Sequence, residues 1–388
     1  MRRHAEIVGA GFAGLTAAIA LLQRGWTARV HERSPSLRSE GFGIAIQQNG
    51  LRTLEALSLG HVATAHSVKI KRRIICDASG KPTADLGITQ HQIRISRRVI
   101  IAAMATKVAE LGGEIITNSE AIAVDAGGAL LLARGLRCPA DVLIAADGHN
   151  SLVRDSAGLK PKIRFMRDGA FRLVIERTPG EQTLGEIDSG VTYENWSGHR
   201  RLICSPCSRN ELYVAMSCLA SDQRGLQIPL DRNEWERSFP HLRHLFERIE
   251  RETDWSLVKW SQFKTITLPR WSIGKVAVVG DAAHAMPPNL AQGGGCAMMN
   301  ALSLATSIGE CSTIEPALKN WEWRERTLIE HTQRWSRLYG VVTAWPEAPR
   351  VAAFKIVERS PWLQKQLQKA ARHRPYGWDE ASEGICSA

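Results

Sequence analysis

Three stretches of this 388-residue chain put chemically useful side chains where a folded backbone could aim them at one ligand. The densest is GDAAHAMPPNLAQGGGCAMMN (280–300), in which Gly280 and Asp281 end an apolar run and Pro288, Gln292, Gly293 and Gly294 follow. A carboxylate at a strand end can hold a sugar-like hydroxyl, while the free N–H groups of the next helix face an anion. Glycine inside a helix costs about 1 kcal/mol relative to alanine. Three at its mouth imply close approach of the backbone to a ligand. The second stretch is GAGFAG (9–14), where Gly9, Gly11 and Gly14 form G-x-G-x-x-G around Ala13, and Glu32-Arg33 follows further on. Gly9 permits the turn, Gly11 lets backbone approach a pyrophosphate, Gly14 lets a helix pack on a sheet, and Glu32 is placed to hold ribose hydroxyls. The third is Asp147-Gly148 at the end of ADVLIAADG, a pair that is also ordinary turn chemistry.

The elements that must position these residues are readable nearby. EIVGA reads as a strand, AGLTAAIALLQRG as a helix and TARVHER as a second strand, which together make a dinucleotide-binding unit. GKVAVVG reads as a buried strand leading to Asp281. Between about 160 and 269 the pattern changes to short alternating runs, FRLVIER, VTYENWS, RRLICSPC and ELYVAMSC, the mark of antiparallel strands. The expected fold is α/β: a Rossmann-like domain from 1–66, 97–160 and 270–315, and an antiparallel-sheet substrate domain from 67–96 and 161–269. A helical region over 316–388 completes it, opening with a long amphipathic helix. If the RRLICSPCSRNELYVAM hairpin turns on Cys207, Arg201 and Tyr213 stand opposite each other and offer a site for a carboxylate or an aryl oxygen. The competing reading is an exposed arginine stacked on a strand tyrosine.

Composition narrows the classes. Fifty Lys and Arg against 39 Asp and Glu give +11, spread along the chain with KIKRR (69–73) the one dense patch. Dispersed charge without interleaved aromatics favours anionic small molecules over nucleic acid. No apolar run is long enough to span a membrane and the N-terminus has no signal-peptide layout, so a cytoplasmic protein, monomeric or homodimeric, is expected. The eight cysteines are expected to be reduced, and Cys204 and Cys207 form a lone CxxC that lacks the partners of a metal set. His284 could act as a general base or simply sit hydrogen-bonded at the strand–helix turn. Trp255, Trp260 and Trp271 are spaced like packing residues, and WEWRER (321–326) reads as one face of a helix.

Taken in order, G-x-G-x-x-G, the D-G-x-x-S-x-V-R pattern (Asp147, Gly148, Ser151, Val153, Arg154) and G-D-A-A-H…P…Q-G resemble the FAD-dependent aromatic hydroxylases of the p-hydroxybenzoate hydroxylase family. Many of its members carry an acid where this chain has Asn300, and G-Q-G where it has Ala291-Gln292-Gly293. AQGGGCAMMNALSLA, SPCSRNELY (205–213) and ITNSEAIAVD (116–125) instead resemble the branch that hydroxylates and opens a pyridine ring.

The resemblance implies that the glycine loop and Glu32 hold the ADP half of FAD, that Asp281 holds the ribityl chain, and that Pro288, Gln292, Gly293 and Gly294 lie near the flavin ring. It also implies that Arg97 reaches the pyrophosphate, that GFGIAI (41–46, with Gly43) lies beside the flavin, and that Arg201 and Tyr213 contact substrate. The implied reaction is a single-component monooxygenation: NADH or NADPH reduces FAD, and O2 forms a flavin C4a-hydroperoxide that attacks a small aromatic or N-heteroaromatic acid. Two rivals stand beside it, a reductase or dehydrogenase of the same fold and, from another class, a basic binding protein.

Overall fold

The structure is a computed structural model that describes residues 2–37, 43–88, 90–125, 127–177 and 190–379. Its first layer is a six-stranded sheet whose central strands run parallel. In that sheet Val276–Val278, Val142–Ala145 and His4–Val8 are immediate neighbours. Each ends in one of the three motifs read from the sequence, so the motifs emerge side by side at the carboxyl edge. That is where open α/β sheets bind ligands.

The strands are near-continuous apolar runs because both faces are covered: Val142–Ala145 is buried throughout. The helix Phe12–Leu22 is apolar all round, since it lies between this sheet and the helix Gly293–Glu310.

The second layer is a seven-stranded sheet ordered Ser261–Thr267, Lys162–Glu176, Glu211–Leu219, Arg200–Pro206, Val191–Ser197, Arg72–Cys76 and Pro82–Gly87. Period-2 alternation divides its faces. Phe171, Leu173, Leu202, Val214 and Met216 pack outward on Trp235 and Phe246, which belong to helices Arg232–Ser238 and Arg243–Glu252. The intervening residues Ala170, Arg172, Arg201, Ile203, Tyr213 and Ala215 face the other way, into a cavity.

Of the segment 67–96, Arg72–Cys76 and Pro82–Gly87 join this sheet. Ser67–Lys69 and Gln92–Ser96 instead form a separate three-stranded sheet with Gly43–Gln47. The amphipathic pattern near 316–340 is realised as one helix, Ile314–Thr343, which buries Leu318, Trp321, Leu328 and Ile329. Glu347–Arg359, Pro361–Leu367 and Lys369–Arg372 follow as shorter helices, with Pro346 and Pro361 at the first two breaks.

Candidate active site

A cavity of about 680 Å³ lies between the two layers. Its floor is the carboxyl edge of the parallel sheet and its roof is the inner face of the seven-stranded sheet. Gly9, Gly11, Ala13, Glu32, Arg33, Gly43 and Arg97 line it, as do Asp147, Gly280, Asp281, Pro288, Gly293 and Gly294 and, from the roof, Arg201 and Tyr213. Gly14 and Gln292 do not.

The glycines divide into those that meet backbone and those that open onto the cavity. Gly9 has φ +99, and a Cβ there would stand 2.4 Å from the Ala146 carbonyl oxygen. A Cβ on Gly14 would stand 1.9 Å from the Gly9 carbonyl oxygen, so Gly14 lets the helix sit directly on its own turn. Gly11 and Gly293 have no atom within 4 Å of that position and offer open backbone. Gly280 turns the chain with φ +62 just before Asp281. Gly294 and Gly295 answer to packing: a Cβ would meet Ile44 at 2.8 Å and Asn49 at 2.9 Å. Gly43 likewise accommodates Tyr213, whose Cβ would lie 2.8 Å away. The three-glycine run therefore serves both close helix packing and an open N-terminus facing the cavity.

Polar groups hold this cradle in shape. Glu32 accepts hydrogen bonds from the backbone N–H of Ala10 and of Ser34, each at 3.0 Å, which fixes its carboxylate beneath the glycine turn. Ser151 caps the short helix Leu152–Ser156 by accepting from the Arg154 N–H. Arg154 is buried and donates to the Ala282 carbonyl at 3.0 Å, tying the second motif to the third. Asp147 keeps a buried Oδ1 without a hydrogen-bond partner among the described residues, and burial raises its carboxyl above the usual range. Arg97 opens the helix Arg97–Glu110 and lies over the Phe12 ring at 5.3 Å. Gln292 is the N-cap residue of Gly293–Glu310, but its side chain is buried away from the cavity and accepts from Asn49 Nδ2 at 2.9 Å. Of GFGIAI, positions 41 and 42 lie outside the described residues.

The roof corrects one expectation. Arg201 pairs with Ser217 and Tyr213 with Ser205, so the turn centres on Arg209 and the two residues are not opposite each other. The polar Ser208-Arg209-Asn210 tip forms the loop, closed by the Cys207 N–H to Glu211 carbonyl bond at 3.0 Å. Because the shift is by two residues, both side chains still point into the cavity. They stand four residues apart along the hairpin, roughly 13 Å.

Arg201 is also not free. Its Nε lies 2.9 Å from Glu194 Oε1 as an ion pair without hydrogen-bond alignment, and it donates to Asn289 Oδ1 at 3.3 Å. Glu194 is fully buried and binds Arg73 as well, while Trp196 Nε1 donates to it at 3.0 Å. Burial pushes the Glu194 carboxyl up, but Arg201 and then Arg73 outweigh it, and the net shift is downward.

Two further arginines line the cavity and have no carboxylate partner among the described residues. Arg94 is buried, has an unpartnered Nε and lies 4.7 Å over the Tyr213 ring; burial lowers its guanidinium. Arg172 lies 5.7 Å over Phe263. Neither was singled out from sequence. In QIRIS and FRLVIE they read as the solvent side of an alternating strand, and only the tertiary fold turns that side into a cavity.

Other candidates separate from the site. His284 is buried against Trp271, 5.4 Å between rings, and does not line the cavity. Neither Cys204 nor Cys207 forms a disulfide, and burial pushes Cys207 up to about 12. Glu6, His31 and Cys138 bring potential ligand atoms within 4.8 Å of one another. The carboxylate and imidazole there are already engaged: Glu6 meets His31 at 2.7 Å and His4 at 3.0 Å, and His31 meets Ser119 at 2.7 Å.

Residues 3–315 match the family model described as FAD binding domain. The 2-heptyl-3-hydroxy-4(1H)-quinolone synthase of Mycobacteroides abscessus is 34% identical over 352 residues, covering 89% of this chain and 92% of that protein. The 3-hydroxybenzoate 6-hydroxylase 1 of Aquipseudomonas alcaligenes is 25% identical, covering 87% and 88%. A tetrameric form of 2-methyl-3-hydroxypyridine-5-carboxylic acid oxygenase superposes with TM-score 0.85 at 36% identity, covering 96% and 97%. The cradle fits an FAD on this chain's own geometry: left-handed glycines at the two turns, open backbone at Gly11 and Gly293, and an orphaned buried oxygen on Asp147.

Proposed function

The chain belongs to the FAD-dependent aromatic hydroxylases, and from that premise we propose that it uses NADH or NADPH and O2 to hydroxylate an N-heteroaromatic ring of hydroxypyridine or quinolone type. The substrate ring carries an acidic oxygen or a carboxylate. The observation that carries this reading is the cavity lining, where Arg172, Arg201 and Tyr213 of the roof and Arg94 of the three-stranded sheet share one cavity with the open helix mouth at Gly293. Bound FAD supplies electron transfer from the nicotinamide and activation of oxygen.

The protein residues bind, orient and dry the site. Arg172 and Arg94 offer charge to an oxygen substituent, worth about 1.5–3 kcal/mol for a charge-assisted hydrogen bond. Glu194 holds Arg201 at a set height and prevents it from swinging out. Phe263, Ile203 and Ala215 make an apolar ceiling that excludes water around the ring. Glu32, Asp147, Arg97 and Asp281 are the groups we assign to the cofactor, with Asp281 at the helix mouth suited to the ribityl hydroxyls. Opening of the ring after oxygen insertion is an outcome this reading includes for pyridine substrates.

Anaerobic reduction of the holoenzyme by NADH, with and without hydroxypyridine carboxylates, 4-quinolones and hydroxybenzoates, tests the proposal. One ring class accelerating reduction by orders of magnitude supports it. Reduction equally fast with nothing added would move the reductase reading to the front.

A further inference from the structure

The cavity does not end at the ring-binding roof. Beyond Arg73 it continues to the sheet edge, where the strand Pro82–Gly87 meets the helix Glu347–Arg359. Leu86, paired with Arg73 across the last two strands, lines this extension together with Ile88, Leu290, Val357 and Leu367. Leu86, Leu290 and Leu367 also belong to one apolar cluster with Tyr339 and Phe354. The charged neighbour there, Arg73, is already held by Glu194 and donates to the Tyr339 hydroxyl at 2.9 Å. The Gln364 amide is likewise spent on the Val357 and Glu358 carbonyls. Leu86, Ile88, Leu290, Val357 and Leu367 therefore make a hydrocarbon wall beside engaged polar groups, and Gln90 and Gln368 also line the cavity, whose other end is cationic.

We infer that this annex binds a hydrocarbon chain carried by the ring substrate, and that the C-terminal helices set substrate specificity through Val357 and Leu367. This rests on the ring-hydroxylase reading above. An amphiphilic ligand fits the two ends: its oxygen-bearing ring under Arg172 and Tyr213, its alkyl substituent running past Leu290 and Leu86 toward Leu367. Of its apolar lining, Val357 and Leu367 come from the helices beyond 341, and Leu86, Ile88 and Leu290 from earlier in the chain.

The test titrates the holoenzyme, following the flavin absorbance, with 2-methyl-, 2-pentyl- and 2-heptyl-4-quinolone and with 3-hydroxypyridines carrying the same chains. Burial of methylenes predicts about fourfold tighter binding per added carbon until the annex is full. Val357→Phe fills the annex from a half-exposed helix position, and Leu367→Gln makes its wall polar. Each is expected to collapse the heptyl-to-methyl affinity ratio toward 1. Retained flavin content and circular dichroism show that each variant is folded. Equal affinity for methyl and heptyl compounds in the wild type, or an unchanged ratio in both variants, overturns the annex while leaving the ring reading intact. Failure of every ring in both series to perturb the flavin overturns the ring reading and the annex with it.

Discussion

Glu194→Gln probes how the roof of the cavity is charged. In the wild type one fully buried carboxylate serves two guanidinium groups, Arg73 and Arg201, leaving a net charge of +1 in the trio. The amide keeps one acceptor oxygen, for either Trp196 or Arg73, turns an NH2 toward the other and removes the negative charge, so the trio becomes +2. Breaking a buried pair costs about 3–5 kcal/mol. Because the hydrogen bonds partly survive, the lower end, about 3 kcal/mol, is expected in unfolding measurements at neutral pH.

The acid limb should change too. The folded-state pKa of Glu194 is depressed, so its contribution is present above the ordinary carboxylate range and lost as pH falls toward the depressed value. The variant should lack that component of acid destabilisation. Ligand binding should move the other way. An uncompensated charge about 6 Å from a ligand carboxylate, at an effective dielectric near 20, is worth roughly 2–3 kcal/mol. Titrations comparing a hydroxypyridine carboxylate with its uncharged amide should show the acid gaining at least tenfold in the variant while the amide changes little. A variant as stable as wild type, with no change in acid-over-amide preference, would refute the shared-carboxylate account.

Further outcomes follow from other residues. Arg94→Met removes a buried cation that has no carboxylate partner, so thermal stability should hold or rise while affinity for anionic ring ligands falls about tenfold or more; a melt and a titration on one preparation read both. Gly14→Ala would put a Cβ 1.9 Å from the Gly9 carbonyl oxygen, and the purified variant should carry little or no flavin absorbance near neutral pH. Glu325 is buried, neither carboxylate oxygen has a hydrogen-bond partner among the described residues, and burial raises it to about 7 from the ordinary 4.5. The folded state thus binds the proton more tightly than the unfolded chain. Stability should fall as pH rises from about 4.5 to about 7 and level off above, a loss on the order of 3 kcal/mol that Glu325→Gln abolishes.

Much of this architecture was legible because local patterns and tertiary use agree. The three motif strands are apolar, end in Gly or Asp-Gly, and turn out to be adjacent in one sheet. The alternation of FRLVIER, RRLICSPC and ELYVAMSC marks antiparallel strands, and the structure pairs them so. What period 2 cannot say is which face meets solvent, so spacing alone does not set Arg94 and Arg172 apart from exposed charges. Nor can spacing reveal that Arg73 meets Glu194 121 residues away, since that contact depends on parallel pairing of Arg72–Cys76 with Val191–Ser197. The hairpin register slipped for a simpler reason: the polar tip at Ser208-Arg209-Asn210 is a better turn than the CxxC before it. Gly43 is a mixed case. It lines the cavity beside which the resemblance puts it, and a side chain there would also meet Tyr213, a contact that spacing does not reveal.

The most direct test of the central claim is isotopic. Holoenzyme, NADH and the ring compound that most accelerates flavin reduction are incubated under 18O2, and the product is weighed by mass spectrometry. The account predicts one 18O atom in the ring product for each NADH consumed, with the second oxygen leaving as water. A ring recovered without 18O, while NADH is consumed and hydrogen peroxide accumulates, would contradict it.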